Sequence, residues 1–267
     1  MKFKLKLLIV AILSTAILAG CSSKPTTDNS LADLKEKKEL IIGLDDNFPP
    51  MGFRDDKGEI VGFDIDMAKE VGKRLGVKVT FKPVEWDGII LSLNNKDIDV
   101  IWNGLTITDK RKEQIAFSKV YLQNKQIIVV RSDSTIKNKT NLKDTKVGLQ
   151  LGSSSETALA KDSSLTDSLK EVKKYSNNTE ALLDLNAKRI DAVVVDEVVG
   201  RYYVSKKPND YKVLDDNLGV EDYGVGIRKN DTSLTSEIDK LLEEMKKDGT
   251  SNTISQKWFG KDITFKE

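Results

Sequence analysis

The chain has 267 residues, 39% of them apolar and 32% charged, with 43 lysines and arginines against 42 aspartates and glutamates. It contains no histidine and one cysteine, Cys21, which excludes Ser/His/Asp triads, Cys/His dyads, two-histidine zinc sites and an internal disulfide. The even charge balance lacks the clustered positive excess of a nucleic-acid binder, so a small molecule is the simpler partner.

Lys2, Lys4 and Lys6 precede an apolar run over residues 7–19, interrupted only by Ser14 and Thr15. A membrane-spanning helix needs about 20 apolar residues, so this shorter run reads as a signal segment with a charged start. It ends in Leu18-Ala19-Gly20-Cys21, which resembles the lipobox of bacterial lipoproteins. That resemblance implies cleavage before Cys21 and acylation of its sulfur and new amino terminus. An ordinary cleavage site beside a free thiol is the alternative. Residues 22–30, SSKPTTDNS, contain nothing apolar and read as a flexible tether.

From residue 40 onward, short apolar runs alternate with amphipathic stretches. The first series predicts a strand at 40–44, a helix at 64–75 with Ile65, Ala68, Val71 and Leu75 on one face and Asp64 as its cap, a strand at 77–84, a helix at 88–93 and a buried strand at 98–102. The second predicts strands at 126–131, 146–150 and 192–195, with helices at 155–161, 178–188 and 196–205. A strand at 223–228 and helices at 234–247 and 252–259 close the chain. Repeated βαβ units predict an α/β fold, and roughly 250 residues after the signal suit two cores of about 120.

In open α/β sheets, ligands sit beyond the carboxyl ends of the strands. The candidate positions are therefore 45–48, 103–111, 150–155 and Asp196, which bring in Asp45, Phe48, Asn103, Gly104, Thr106, Arg111, Gln150 and Ser154. Arginine is scarce relative to lysine, yet Arg111 follows a buried strand, and a guanidinium can grip a carboxylate with two parallel hydrogen bonds. A solvated charge in a basic run is the alternative. The Gly152-Ser153-Ser154-Ser155 turn offers backbone N–H groups and hydroxyls to an anion, or simply caps a helix. Asp196 could hold an ammonium group or cap its helix. Phe48 and Trp86 sit where an aromatic face can stack on a ligand, whereas Trp102 reads as core. Ser134-Thr135-Ile136-Lys137 fits a Ser-x-x-Lys pattern without its partner motifs, and residues 55–58 read as a hairpin turn.

Taken together, several segments resemble the polar amino-acid-binding proteins of bacterial ABC importers, family 3 of the solute-binding proteins. They are Leu40-Ile41-Ile42-Gly43-Leu44-Asp45 with Phe48-Pro49-Pro50, Gly62-Phe63-Asp64-Ile65-Asp66-Met67-Ala68, Trp86-Asp87-Gly88, Gly104-Leu105-Thr106-Ile107-Thr108-Asp109-Lys110-Arg111, Val147-Gly148-Leu149-Gln150 with Gly152-Ser153-Ser154, Tyr223-Gly224 and Lys257-Trp258-Phe259-Gly260. The resemblance implies a two-lobed clamshell of the type II periplasmic-binding-protein kind. Lobe 1 would comprise 33–120 and 224–267, lobe 2 residues 126–218, with hinges at 121–125 and 219–223.

The resemblance further implies that Arg111 and the Thr106 and Ser154 amides bind an amino acid's α-carboxylate. The Gly104 carbonyl, Thr106 and Asp196 would hold its α-ammonium, with Phe48 and Trp86 flanking the side chain and Asp45 at its tip. Glutamine-binding members carry lysine where this chain has Gln150 and histidine where it has Val195. With Asp45, Asp46 and Glu197 nearby, a cationic or neutral polar ligand such as arginine, lysine, glutamine or cystine is expected. The implied protein is a monomeric, lipid-anchored receptor outside the cytoplasmic membrane that serves ABC permease subunits, with no cofactor, metal or enzymatic step. A dehydratase on the same fold and a sensing or adhesive lipoprotein are the alternatives.

Overall fold

The computed structural model describes residues 28–266, so the expected signal segment, Cys21 and most of the tether lie outside the described residues. The last residue of the expected tether, Ser30, is already helical. Helix α1 (Ser30–Lys37) packs Leu34 into the core, and the Asp28 carboxylate accepts hydrogen bonds from Ser233 N and Thr232 Oγ1.

The chain forms two lobes, each built on a five-stranded sheet. The first sheet contains β1 (Glu39–Leu44), β5 (Lys78–Pro83), β6 (Val100–Ile101), β7 (Ala116–Phe117) and β13 (Gly226–Ile227), in the order β5-β1-β6-β13-β7. Strands β5, β1 and β6 are parallel, and β13 runs antiparallel to its neighbours. The second sheet contains β8 (Leu122–Arg131), β9 (Lys146–Gln150), β10 (Glu171–Tyr175), β11 (Ala192–Asp196) and β12 (Tyr211–Tyr223), in the order β10-β9-β11-β8-β12. A small antiparallel sheet of β2 (Asn47–Phe48), β3 (Gly52–Arg54) and β4 (Ile60–Val61) sits beside the first, with the expected turn at 55–58 joining β3 to β4.

Two strands connect the lobes. Leu122 pairs with Tyr223, Gln123 with Asp222, Asn124 with Glu221 and Lys125 with Val220. Single bridges tie this ribbon back to the first lobe at Thr106↔Tyr223 and Leu122↔Thr264.

Helix α2 (Phe63–Leu75) buries the expected Ile65, Ala68, Val71 and Leu75 face, joined by Phe63 and Met67. Each of these side chains larger than alanine contributes about 1.5–3 kcal/mol when removed from water. The helix begins one residue before Asp64, and that carboxylate is no cap. It is fully buried and accepts hydrogen bonds from Gly104 N (2.7 Å) and Tyr121 OH (3.0 Å). The carboxyl-terminal helices, Thr232–Lys247 and Thr250–Phe259, return to this lobe, and Leu234, Ile238, Leu241 and Met245 repeat at helical spacing along the buried face of the first.

Among the described residues, no helix is long and apolar enough to cross a membrane, and no cluster of three or more metal-ligating side chains is present.

Candidate ligand-binding cleft

The carboxyl ends of the strands in both sheets face one another across a cleft. From the first lobe, β1 leads into Asp45, the turn after β5 carries Trp86, and β6 leads into Asn103, Gly104 and Thr106. Arg111 lies on the short helix Asp109–Lys112, whose start is fixed by Thr108 Oγ1 accepting from Arg111 N. From the second lobe come Gln150 at the end of β9, Ser154 at the start of helix Ser154–Lys161, and Asp196 at the end of β11. Distant segments thus meet because parallel strands all deliver their following residues to the same sheet edge.

The cleft is closed. Thr106 Oγ1 donates to Ser154 Oγ (3.0 Å), Arg111 Nη2 to the Gly152 carbonyl (3.2 Å) and Gln150 Nε2 to Asp45 Oδ2 (2.7 Å). Gly152 has φ +71°, and a β-carbon there would lie 3.2 Å from Asp87 Cα on the facing lobe. At Gly104, φ is +60°, and a β-carbon would lie 2.8 Å from the Phe48 ring. Glycine is required at both places by left-handed backbone and by close approach.

Arg111 is only 8% exposed. Its Nη1 donates to the Thr106 carbonyl (2.9 Å), and the guanidinium carbon lies 5.7 Å from the Trp86 ring centroid. Among the described residues no carboxylate forms an ion pair with it, and burial lowers its pKa while the Glu221 and Asp196 carboxylates oppose that shift. A buried cation without an ion-pair partner carries a desolvation cost that an incoming carboxylate offsets. Phe48 and Trp86 are parallel within 4°, with ring centroids 6.4 Å apart. Two van der Waals contacts of about 3.5 Å span nearly the same distance, so a flat or extended side chain matches the spacing.

Asp45 is buried and its pKa is raised by desolvation, although Asn47 N and Gln150 Nε2 donate to it. Asn103 is fully buried beside Asp45. Its Oδ1 accepts from Asp45 N (3.1 Å), so it supports the turn that carries Asp45. Of the two further acidic residues expected near the ligand, Glu197 pairs with Arg201 (2.6 Å) away from the Asp45 end, whereas Asp46 pairs with Arg54 (2.6 Å) and still lines the cavity beside Asp45.

The cleft also contains residues that the sequence reading passed over. Asn124, Gln126 and Glu221 lie on the paired connecting strands, and Tyr223 ends the second of them. Asn124 and Gln126 are buried, alternating with exposed Gln123 and Lys125. Polar residues on the inward face of a strand were the available signal. Both amides and Tyr223 OH donate to Asp196 Oδ1, at 2.8, 3.0 and 2.5 Å.

Residues 40–261 match the bacterial extracellular solute-binding proteins, family 3. The chain belongs to that family. This family 3 chain is 35% identical over 259 residues to the L-cystine-binding protein TcyJ of Escherichia coli, covering 96% of each protein. It is 35% identical over 257 residues to the lysine/arginine/ornithine-binding periplasmic protein of Escherichia coli, covering 93% of this chain and 96% of that one. An ABC uptake transporter substrate-binding protein from Streptococcus pneumoniae, solved with bound histidine, superposes with a TM-score of 0.86 at 37% identity, covering 90% of this chain and 99% of that one. Family 3 members are extracytoplasmic, and these relatives bind amino acids; the same role holds for this chain at that level. The two-lobed type II clamshell expected from the sequence is the fold observed.

Proposed function

We propose that this chain captures a cationic amino acid, arginine or lysine, by closing its two lobes, and delivers it to an ABC permease. Arg111, with the Thr106 and Ser154 amides, receives the α-carboxylate. Asp196, the Gly104 carbonyl and Thr106 receive the α-ammonium. The side chain runs between Phe48 and Trp86 toward Asp45 and Gln150. The connecting segments 121–125 and 219–223 act as hinges between lobe 1 (33–120 and 224–267) and lobe 2 (126–218). Cys21 carries the lipid anchor that keeps the receptor outside the cytoplasmic membrane, where it works as a monomer. It binds and releases its ligand unchanged.

The observation that carries this reading is the charge arrangement inside one closed cleft. Arg111 lacks an ion-pair partner at one end, while Asp196 and Asp45 hold carboxylates at the other positions an amino acid would span. A cavity of about 220 Å³ beside Asp45, lined also by Asp46, Trp86, Glu85, Ser176 and Asn177, supports a long side chain with a cationic end. A buried aspartate at the tip disfavours an acidic side chain.

A thermal-shift screen of the twenty amino acids and cystine tests the reading. Ligand at 100 times its Kd stabilises the folded state by about 2.7 kcal/mol, which raises Tm by about 5–10 °C at this chain length. Arginine or lysine is expected to give the largest rise and glutamate none. Asp45→Asn should then weaken arginine more than glutamine. If cystine or glutamine gives the largest shift, the cationic assignment is wrong; if no amino acid shifts Tm, the receptor reading is wrong.

A further inference from the structure

The ammonium position described above contains a second carboxylate. Glu221, on the second connecting strand and half-buried, is directly opposite Asn124 in the strand register. Asn124 Nδ2 donates to Asp196 Oδ1 (2.8 Å) and to Glu221 Oε1 (2.7 Å). Gln126 Nε2 donates to the same two oxygens, at 3.0 and 2.8 Å. Each amide nitrogen has two hydrogens: Asn124 directs both to the two carboxylate oxygens, and Gln126 shares its pair among those oxygens and Ser154 Oγ (3.1 Å). Ser154 Oγ adds a longer contact to Glu221 Oε1 (3.4 Å).

Two facing anions in a dry cleft repel, and amide donors only partly offset that repulsion. The arrangement is satisfied by a cation between them. Arg111, the cation that faces the pair among the described residues, sends its two hydrogen bonds to the Thr106 and Gly152 carbonyls. Tyr223 OH faces Asp196, while the adjacent acids turn away, Glu197 to Arg201 and Asp222 to Gln123.

We propose that Glu221 is a ligand-binding residue that grips the α-ammonium together with Asp196. This rests on the amino-acid reading given above. An ammonium group has three N–H donors: one reaches Asp196, one Glu221 and one the Gly104 carbonyl or Thr106 hydroxyl. The second carboxylate makes the site select for a charged amine. Asp196 holds a proton before the ligand enters, and the ammonium displaces it to solvent. Burial and the facing Glu221 push the Asp196 carboxyl well above its ordinary range, in keeping with that proton.

Calorimetric titration of the full chain with L-arginine and L-glutamine tests the assignment. Each is run beside its des-amino counterpart, 5-guanidinopentanoate and 4-carbamoylbutanoate, in two buffers of different ionisation enthalpy at pH 7. Glu221→Gln is expected to weaken whichever amino acid binds by 10- to 100-fold, to leave the des-amino compound within threefold, and to reduce proton release. Glu221→Asp, which keeps the charge, should bind more tightly than Glu221→Gln and retain proton release. Equal weakening of both compounds would mean that Glu221 serves closure alone, and an unchanged Glu221→Gln affinity would remove it from the site. Either result overturns the assignment while leaving the receptor function intact. A wild type that binds no amino acid overturns the function itself.

Discussion

Replacing Arg111 by alanine separates ligand recognition from folding. In the closed structure, the guanidinium makes two hydrogen bonds to carbonyls and one contact with the Trp86 ring, but it is desolvated without an ion pair among the described residues. Losing those contacts costs stability, while removing a buried unpaired charge restores some, so the two effects oppose. A residual change of about 1 kcal/mol moves Tm by only 2–4 °C in a chain of this size. With ligand present, the balance differs. Removing one partner of a buried ion pair costs about 3–5 kcal/mol, because a carboxylate is left without its counter-charge, and every 1.4 kcal/mol is tenfold in Kd. Affinity should therefore fall by about a hundredfold to several thousandfold. Arg111→Lys should recover little, since an ammonium cannot reproduce the planar fork. Arg201→Ala is the control, because Arg201 is exposed and pairs only with Glu197. Titration calorimetry gives the affinities and thermal unfolding without ligand gives the stabilities. An Arg111→Ala protein that unfolds within 4 °C of wild type and binds within threefold of it would refute the carboxylate assignment.

Three further outcomes are expected. Burial raises the Asp64 pKa to about 7 from its ordinary 3.8, so the fold favours the protonated form; stability from this group is complete near pH 4 and falls as pH rises toward 7, by on the order of 4 kcal/mol. Urea unfolding of wild type and Asp64→Asn across that range should show the difference shrinking in wild type's disfavour, and a pH-independent difference would contradict it. Gly152→Ala puts a methyl group against Asp87 only when the cleft is shut; affinity should drop about tenfold beyond any loss in ligand-free stability, and unchanged calorimetric affinity would show that closure does not bring these backbones together. Phe53 and Tyr202, with ring centroids 5.7 Å apart, form a contact between the lobes, so Tyr202→Ala should weaken binding by about 2- to 12-fold through loss of a contact worth roughly 0.5–1.5 kcal/mol. Affinity equal to wild type would show that this contact does not favour the closed state.

Much of the architecture was legible because its elements carry strong local signals. Residues 146–150 form the strand expected there, and the face with Ile65, Ala68, Val71 and Leu75 is buried as its spacing requires. The elements missed have weaker patterns. Strand β10, EVKKY, lies at a sheet edge where lysine and glutamate are tolerated, and β12 is bulged and charged, so alternation is interrupted in both. The helix at 30–37 was hidden by the polar run that precedes it.

The sequence by itself determined the alternating α/β plan, the family resemblance and the strand ends at which Asp45, Thr106, Arg111, Gln150, Ser154 and Asp196 lie. These follow from hydrophobic period and from the rule that parallel strands present their carboxyl ends to one edge. Tertiary structure alone decided which carboxylates share the cleft. Glu197 is close to the expected site in sequence, yet it is drawn off by Arg201, whereas Asp46 lines the cavity beside Asp45 while paired with Arg54, and Glu221 reaches Asp196 through pairing between strands about a hundred residues apart. Charge placement depends on which side chains a fold brings into one dry space, and periodicity along a single segment does not contain that information.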